Sequence, residues 1–265
     1  TFSAVKRKNL ERLVTIQSNV LEDYNPTEVV EAIKVRLKDY EKGEGTKWKF
    51  TGQQEEQAKE MAFLSSALMF AVFLIFLIIV AQFNSISAPF IIVFSVVLSL
   101  IGVFLGLVIF QMDFIIIMTM IGIISLAGIV VNNAIVLIDY TMLLMKRKAN
   151  ELNLTDGAKL TMDQVIETIV EGGKTRLRPV LLTAITTVLG LLPMAVGLNI
   201  NFFTLFSELD AHMYIGGDNV VFWGPMSWTI IFGLTFATFL TLVIIPVMVL
   251  IATKIKYAVF KTVKY

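Results

Sequence analysis

The residues in this chain whose types and spacing could do chemistry lie inside apolar runs. From Gly128 to Tyr140 the chain reads GIVVNNAIVLIDY, with two adjacent carboxamides, Asn132 and Asn133, between aliphatic residues. An amide at hydrocarbon depth is costly unless partnered, so both are expected to face protein rather than lipid. Asn132 and Asp139 are seven residues apart, which places them on one helix face, about 10.5 Å apart along the axis. Further on, Thr183, Thr187 and Gly190 share a face at helical spacing, with Thr186 beside it and Arg176 seven residues before Thr183. Each hydroxyl both donates and accepts, so such a stripe could guide water or protons. It could equally bond back to its own helix and pack closely at Gly190. The amides likewise fit either an interhelical clamp or a transport element.

Other chemistries have little to work with. His212 is the single histidine, and Glu208 and Asp210 beside it fall short of the four ligands usual for structural zinc, so no metal site is expected. Met118 and Met120 are too few for a soft-metal pathway. The chain has no cysteine, so it has no disulfide framework, thiol nucleophile or thiolate site. With no Ser-His-Asp set, phosphate loop or paired intramembrane carboxylate, an enzyme is not expected, nor is a cofactor. A net charge of +1 gives no basic excess that would point to nucleic acid.

The elements that must position these residues are membrane helices. The chain is 56% hydrophobic and 16% charged, against about 45–50% and about 25% in ordinary globular domains. Stretches 61–81, 88–110, 114–138, 179–199 and 226–253 hold none of its 22 basic and 21 acidic residues. Each reaches the roughly 20 residues a helix needs to cross a bilayer. The sequence therefore predicts a polytopic α-helical membrane protein with five transmembrane helices over 61–265, embedded in a lipid bilayer. Segments 139–178 and 254–265 carry eleven Lys and Arg, whereas 111–113 and the loop 200–225 carry none. By the positive-inside rule the first set is cytoplasmic, as is the C-terminus, and the loop 200–225 is periplasmic. Asp139 then lies at the cytoplasmic margin.

Residues 1–60 read as an N-terminal periplasmic β-α-β module. A strand is expected over Leu10 to Leu21, and a helix from Asn25-Pro26-Thr27-Glu28, with Asn25 as cap and Pro26 in the first turn. A second strand is expected over Thr46 to Thr51. Such a unit cannot cover both faces of its sheet, so it is expected to be part of a larger αβ porter domain whose other strands are elsewhere. The Met-less start and the odd number of spans fit a fragment of something longer.

Two smaller features follow from spacing. Thr161-Met162-Asp163-Gln164 can start a helix whose stripe Met162, Val165, Ile166, Ile169 and Val170 would lie along the membrane surface, or simply form a connector. Gly102 and Gly106 form a small-xxx-small pair suited to close helix packing.

The run Gly128 to Asp139, together with Thr175-Arg176-Leu177-Arg178-Pro179-Val180-Leu181-Leu182-Thr183, resembles the resistance–nodulation–cell division (RND) efflux permeases. The likeness is closer to the hydrophobe/amphiphile, acriflavine-resistance type. Gln82-Phe83-Asn84-Ser85 before Pro89, Leu189-Gly190-Leu191-Leu192-Pro193, and Phe232-Gly233 to Ile245-Pro246-Val247 extend the resemblance over nearly the whole chain.

This resemblance implies the C-terminal portion of a much longer permease, carrying its helices eight to twelve, with residues 1–60 closing the second porter region. It implies proton antiport and export of hydrophobic or amphiphilic compounds, driven by the proton gradient. It further implies a homotrimer in the inner membrane of a Gram-negative bacterium, with a periplasmic adaptor and an outer-membrane channel. The family's relay positions fall on Asn132, where the family has Lys, on Thr183 and on Arg176. Its two Asp would belong to the remainder of the permease. Asp139 is a further candidate for proton release. An amide cannot supply the charge of a lysine, so the coupling chemistry departs from the family's at Asn132. Two alternatives stand beside this one: a protein-export accessory of SecD/SecF type, and a separate half-subunit of a split permease.

Overall fold

The computed structural model describes residues 6–8, 11–19, 26–38, 40, 47, 49–83, 87–153, 160–210 and 212–262. It divides into two units, residues 1–58 and 59–265.

In the first unit, β1 (Arg7–Lys8) pairs antiparallel with β2 (Glu11–Arg12), and α1 runs Pro26–Lys38. Pro26 opens α1, where a missing N–H costs nothing; the expected cap Asn25 lies outside the described residues. Lys34 bonds Glu31 at 2.7 Å one turn away and lies 5.7 Å over the Phe50 ring. Of the strand expected over Leu10–Leu21, positions 10, 20 and 21 lie outside the described residues, Glu11–Arg12 pair, and residues 13–19 carry no strand. Nor do described residues 47 and 49–51 form the expected second strand. A strand exists only through its ladder partners, and Val14 and Ile16 stand exposed, uncovered by any of the described residues.

The second unit is a helical bundle. Its long helices are α2 (Gln53–Phe83), α3 (Ser87–Ile109), α4 (Ile116–Glu151), α5 (Met162–Val196) and α7 (Asp218–Thr262). Short α6 (Phe202–Glu208) lies between β3 (Leu198–Asn199) and β4 (Tyr214–Ile215), which pair antiparallel. Five helices among the described residues are long and apolar enough to cross a membrane. Several overrun the charge-free stretches, because a helix continues into water wherever its residues allow. α5 ends earlier than 199, at Val196, because Gly197 takes a left-handed cap with φ 74° and returns its N–H to Pro193 O.

α7 is the axis of the bundle, packed on α3, α4 and α5. Glycines set its approach. A Cβ at Gly102 or Gly106 would run into Phe236 or Phe232 of α7, and one at Gly233 into Leu126 and Val103. The pairings Gly102–Phe236 and Gly106–Phe232 run in opposite chain directions, so α3 and α7 are antiparallel. Buried hydroxyls bond back along their own helices, Ser99 to Val96 O at 2.6 Å and Thr238 to Leu234 O at 2.7 Å. The core thereby holds polar side chains without orphaned groups at these positions. α2 is the least buried of the long helices; Phe76 meets Phe90 of α3 edge-on at 5.6 Å.

The helix expected to start at Thr161 forms and packs in part against α4. Thr161 caps it with a capping box, Gln164 Oε1 accepting from Thr161 N at 2.9 Å. It runs on unbroken through Pro179 into α5. Val165 and Ile169 are buried in the core. Beside them Lys148 of α4 is 3.6 Å from Glu167, and Gly172 abuts Thr141. Ile166 and Val170 of the same stripe are exposed, so the protein covers one side of the stripe and leaves the other open.

Candidate functional site

The candidate residues sit along the antiparallel seam of α4 and α5. Its rungs are Asn133–Thr183, Tyr140–Arg176, Thr141–Gly172 and Lys148–Glu167. On α4 the rungs form two pairs spaced by seven, Asn133 with Tyr140 and Thr141 with Lys148, and two helical turns bring the same side of α4 back to α5.

At hydrocarbon depth, Thr183 Oγ1 donates to Asn133 Oδ1 at 3.3 Å and lies 2.9 Å from Val180 O. One hydroxyl proton serves both acceptors. Turning the Asn133 carboxamide by half a rotation would present Nδ2 to Thr183 Oγ1 and leave the hydroxyl proton on Val180 O, so the pair has two hydrogen-bond polarities. Asn133 is buried, whereas Asn132 is exposed and makes no hydrogen bond among the described residues. The expectation that both amides face protein therefore holds within this chain for Asn133 alone. One step along a helix turns a side chain by about 100°, which here carries Asn132 off the face that meets Thr183.

Arg176 sits toward the other end of the seam. Its guanidinium lies 4.2 Å over the Tyr140 ring, and its Nε is buried without a hydrogen-bond partner. Asp139, next to Tyr140, is exposed. The Thr stripe bonds back on itself, Thr186 to Leu182 O and Thr187 to Thr183 O, both at 2.8 Å. Gly190 has no atom near the place a Cβ would occupy. At Gly190 this face thus meets no helix among the described residues. Gly102 and Gly106, in contrast, are filled by α7.

In the loop, His212 Nδ1 is 3.2 Å from Asp210 Oδ2, and Glu208 is exposed. Among the described residues no three His, Cys, Asp or Glu come together as a metal would require. Sequence reasoning missed Tyr140 and Trp228. Trp228 Nε1 donates to Ala195 O at 3.0 Å, tying α7 to α5. The signal for Tyr140 was present: Tyr140 follows Asn133 by seven and Arg176 precedes Thr183 by seven, which matches the two rungs of an antiparallel pair.

A multi-pass helical bundle with polar groups held on one internal seam is the frame of a membrane transporter. Residues 2–199 match the AcrB/AcrD/AcrF family, and the chain belongs to that family of RND efflux permeases. It is 30% identical to the swarming motility protein SwrC of Bacillus subtilis, over 97% of this chain and 21% of that protein. It is 28% identical to the multidrug export protein AcrF of Escherichia coli, over 58% of this chain and 13% of that protein. For the multidrug resistance protein MdtC of Proteus mirabilis the identity is 23%, over 93% and 21%. A solved heavy metal efflux pump superposes with a TM-score of 0.63 at 24% identity, over 87% of this chain and 20% of that one, which speaks to the fold. The chain spans about a fifth of SwrC and MdtC. Family membership sets the SecD/SecF alternative aside and agrees with a transporter rather than an enzyme.

Proposed function

We propose that this chain is the C-terminal part of an inner-membrane permease that exports hydrophobic or amphiphilic compounds by proton antiport. The observation that carries the reading is the Asn133–Thr183 bond at hydrocarbon depth, on a seam that also holds Arg176, in a chain of the efflux-permease family. Asn132 and the Thr187–Gly190 face are left open for the remainder of the permease, which would bring the acidic pair. In this reading Thr183 and Asn132 border the proton path, Asn133 holds Thr183 in place, and Arg176 with Asp139 stands at its cytoplasmic end. Asn132 carries no charge, so the compensation that the family draws from Lys would come from another group. Residues 1–60 complete a periplasmic porter domain. The assembly is a homotrimer working with a periplasmic adaptor and an outer-membrane channel, with the bilayer around it.

The test is efflux of a fluorescent cationic dye from cells carrying the full-length permease with Asn132→Ala or Thr183→Ala. At least a tenfold loss in either variant, at unchanged membrane abundance, is expected. Undiminished proton-coupled efflux in both would sink the relay assignment.

A further inference from the structure

The segment between α5 and α7 is tied down at its root and apolar beyond it. Gly216 N donates to Gly197 O at 2.9 Å, and Asn199 Nδ2 donates to Gly197 O and Gly216 O at 2.9 and 2.7 Å. Asn219 Nδ2 reaches Asn199 Oδ1 at 3.4 Å. At Gly197 a Cβ would press on Val220 at 2.6 Å, so the left-handed turn and the close approach both require glycine there. These bonds fasten the hairpin to the last turn of α5 and the first turn of α7, both of membrane-crossing length. The hairpin therefore stays at that end of the bundle.

What it carries does not suit water. Phe206, Leu209 and Ile215 are 83%, 89% and 75% exposed, and Met213, Tyr214 and Val221 are exposed as well. Tyr214 and Ile215 are neighbours on β4, so their side chains leave opposite faces of the ladder. Neither Tyr214 nor Ile215 is covered by the described residues. Polar groups gather in the turn: His212 N donates to Asp210 Oδ1 at 3.1 Å, and the ring closes on the same carboxylate. Aromatic rings mark this end of the bundle, Phe110 stacking on Phe232 at 4.9 Å and Trp228 on Phe232 at 5.3 Å. Of these rings, Trp228 is the kind that collects at the boundary between hydrocarbon and water.

We infer that the hairpin 198–218 lies in the membrane–water interface, its apolar side chains among lipid acyl chains and its Asp210–His212 turn toward water. Two observations favour lipid over a docked protein. The apolar side chains leave both faces of a narrow strip, which a surrounding fluid covers and one docking face does not. The strip also continues directly into two helices whose own outer faces require lipid. With no Lys or Arg in 200–225, the lipid it fits is zwitterionic rather than anionic.

The inference concerns the hairpin alone and is independent of what the permease exports. The experiment places single spin labels at Phe206→Cys, Ile215→Cys and Val221→Cys in the full-length permease, with any cysteine outside these residues replaced by serine, reconstituted in phosphatidylcholine vesicles. Power saturation then compares collision with oxygen, which concentrates in lipid, and with a water-soluble nickel chelate. Oxygen is expected to exceed nickel severalfold at Ile215 and at one or both of the others. At Glu208→Cys, two residues from Phe206 and so across α6, the order is expected to reverse. Nickel exceeding oxygen at Ile215 would place the hairpin in water. Low access to both reagents would place it under protein, from the rest of the permease or a second subunit. Either result overturns the inference.

Discussion

Thr183 of α5 meets Asn133 of α4, and not Asn132, the residue one step earlier. A single helical step thereby divides two identical amides into a buried structural partner and an open group. A clamp and a transport element need not compete for the same residue. Asn133 locks the seam, and Asn132 is left for whatever packs on the outer side of α4.

This division is measurable as coupling. Thr183→Val keeps the shape of the side chain and removes the hydroxyl. Combined with Asn133→Ala in a double-mutant cycle on the unfolding of the detergent-solubilised permease, it is expected to show a coupling of about 0.6 kcal/mol, the average for hydrogen bonds between membrane helices. The same cycle with Asn132→Ala is expected to be additive. Coupling to Asn132 and none to Asn133 would contradict the observed seam.

Tyr140 is expected to hold Arg176 through its ring face rather than its hydroxyl. Tyr140→Phe keeps the face and should leave stability within experimental error. Tyr140→Ala removes it and should cost about 0.5–2 kcal/mol, the range for a cation over a ring as it goes from exposed to desolvated. Thermal unfolding followed by size-exclusion chromatography separates the two. An equal loss in both variants would show that the phenol oxygen, not the ring, holds the guanidinium.

The sequence makes the five spans legible because an absence of charge over 20 residues has one physical meaning in a chain this apolar. The seam was legible in part. Arg176 and Thr183 at a spacing of seven marked a face, yet choosing between Asn132 and Asn133 requires the rotation of α4 about its axis. That rotation is fixed by Gly122 against Thr229 and Gly233 against Leu126, contacts between segments far apart in sequence. The N-terminal strands were not legible as they stand, since the alternation over residues 10–21 reports a capacity for pairing and a ladder needs a partner. The helix starting at Thr161 was read from the run Thr161 to Gln164, but its apolar stripe could not say which of its residues the bundle would bury: Val165 and Ile169 are buried, Ile166 and Val170 exposed.

Gly106 and Gly190 should respond in opposite ways to the same added methyl. At Gly106 the new Cβ would fall within the Phe232 ring, which is itself stacked on Phe110 and Trp228 and has no free direction in which to turn. α3 and α7 must then part, and overpacking of this kind costs about 1–3 kcal/mol. At Gly190 no atom of the described residues lies within 4 Å of the added Cβ. A helix gains up to about 1 kcal/mol when Ala replaces an interior Gly. Gly106→Ala should therefore lower the thermal midpoint of the permease and Gly190→Ala should leave it unchanged or raise it. If Gly190→Ala instead destabilises the full-length protein, a helix from the remainder of the permease packs against the Thr187–Gly190 face. That outcome would put the hydroxyl stripe at the junction between the two halves, where the proposed proton path requires it.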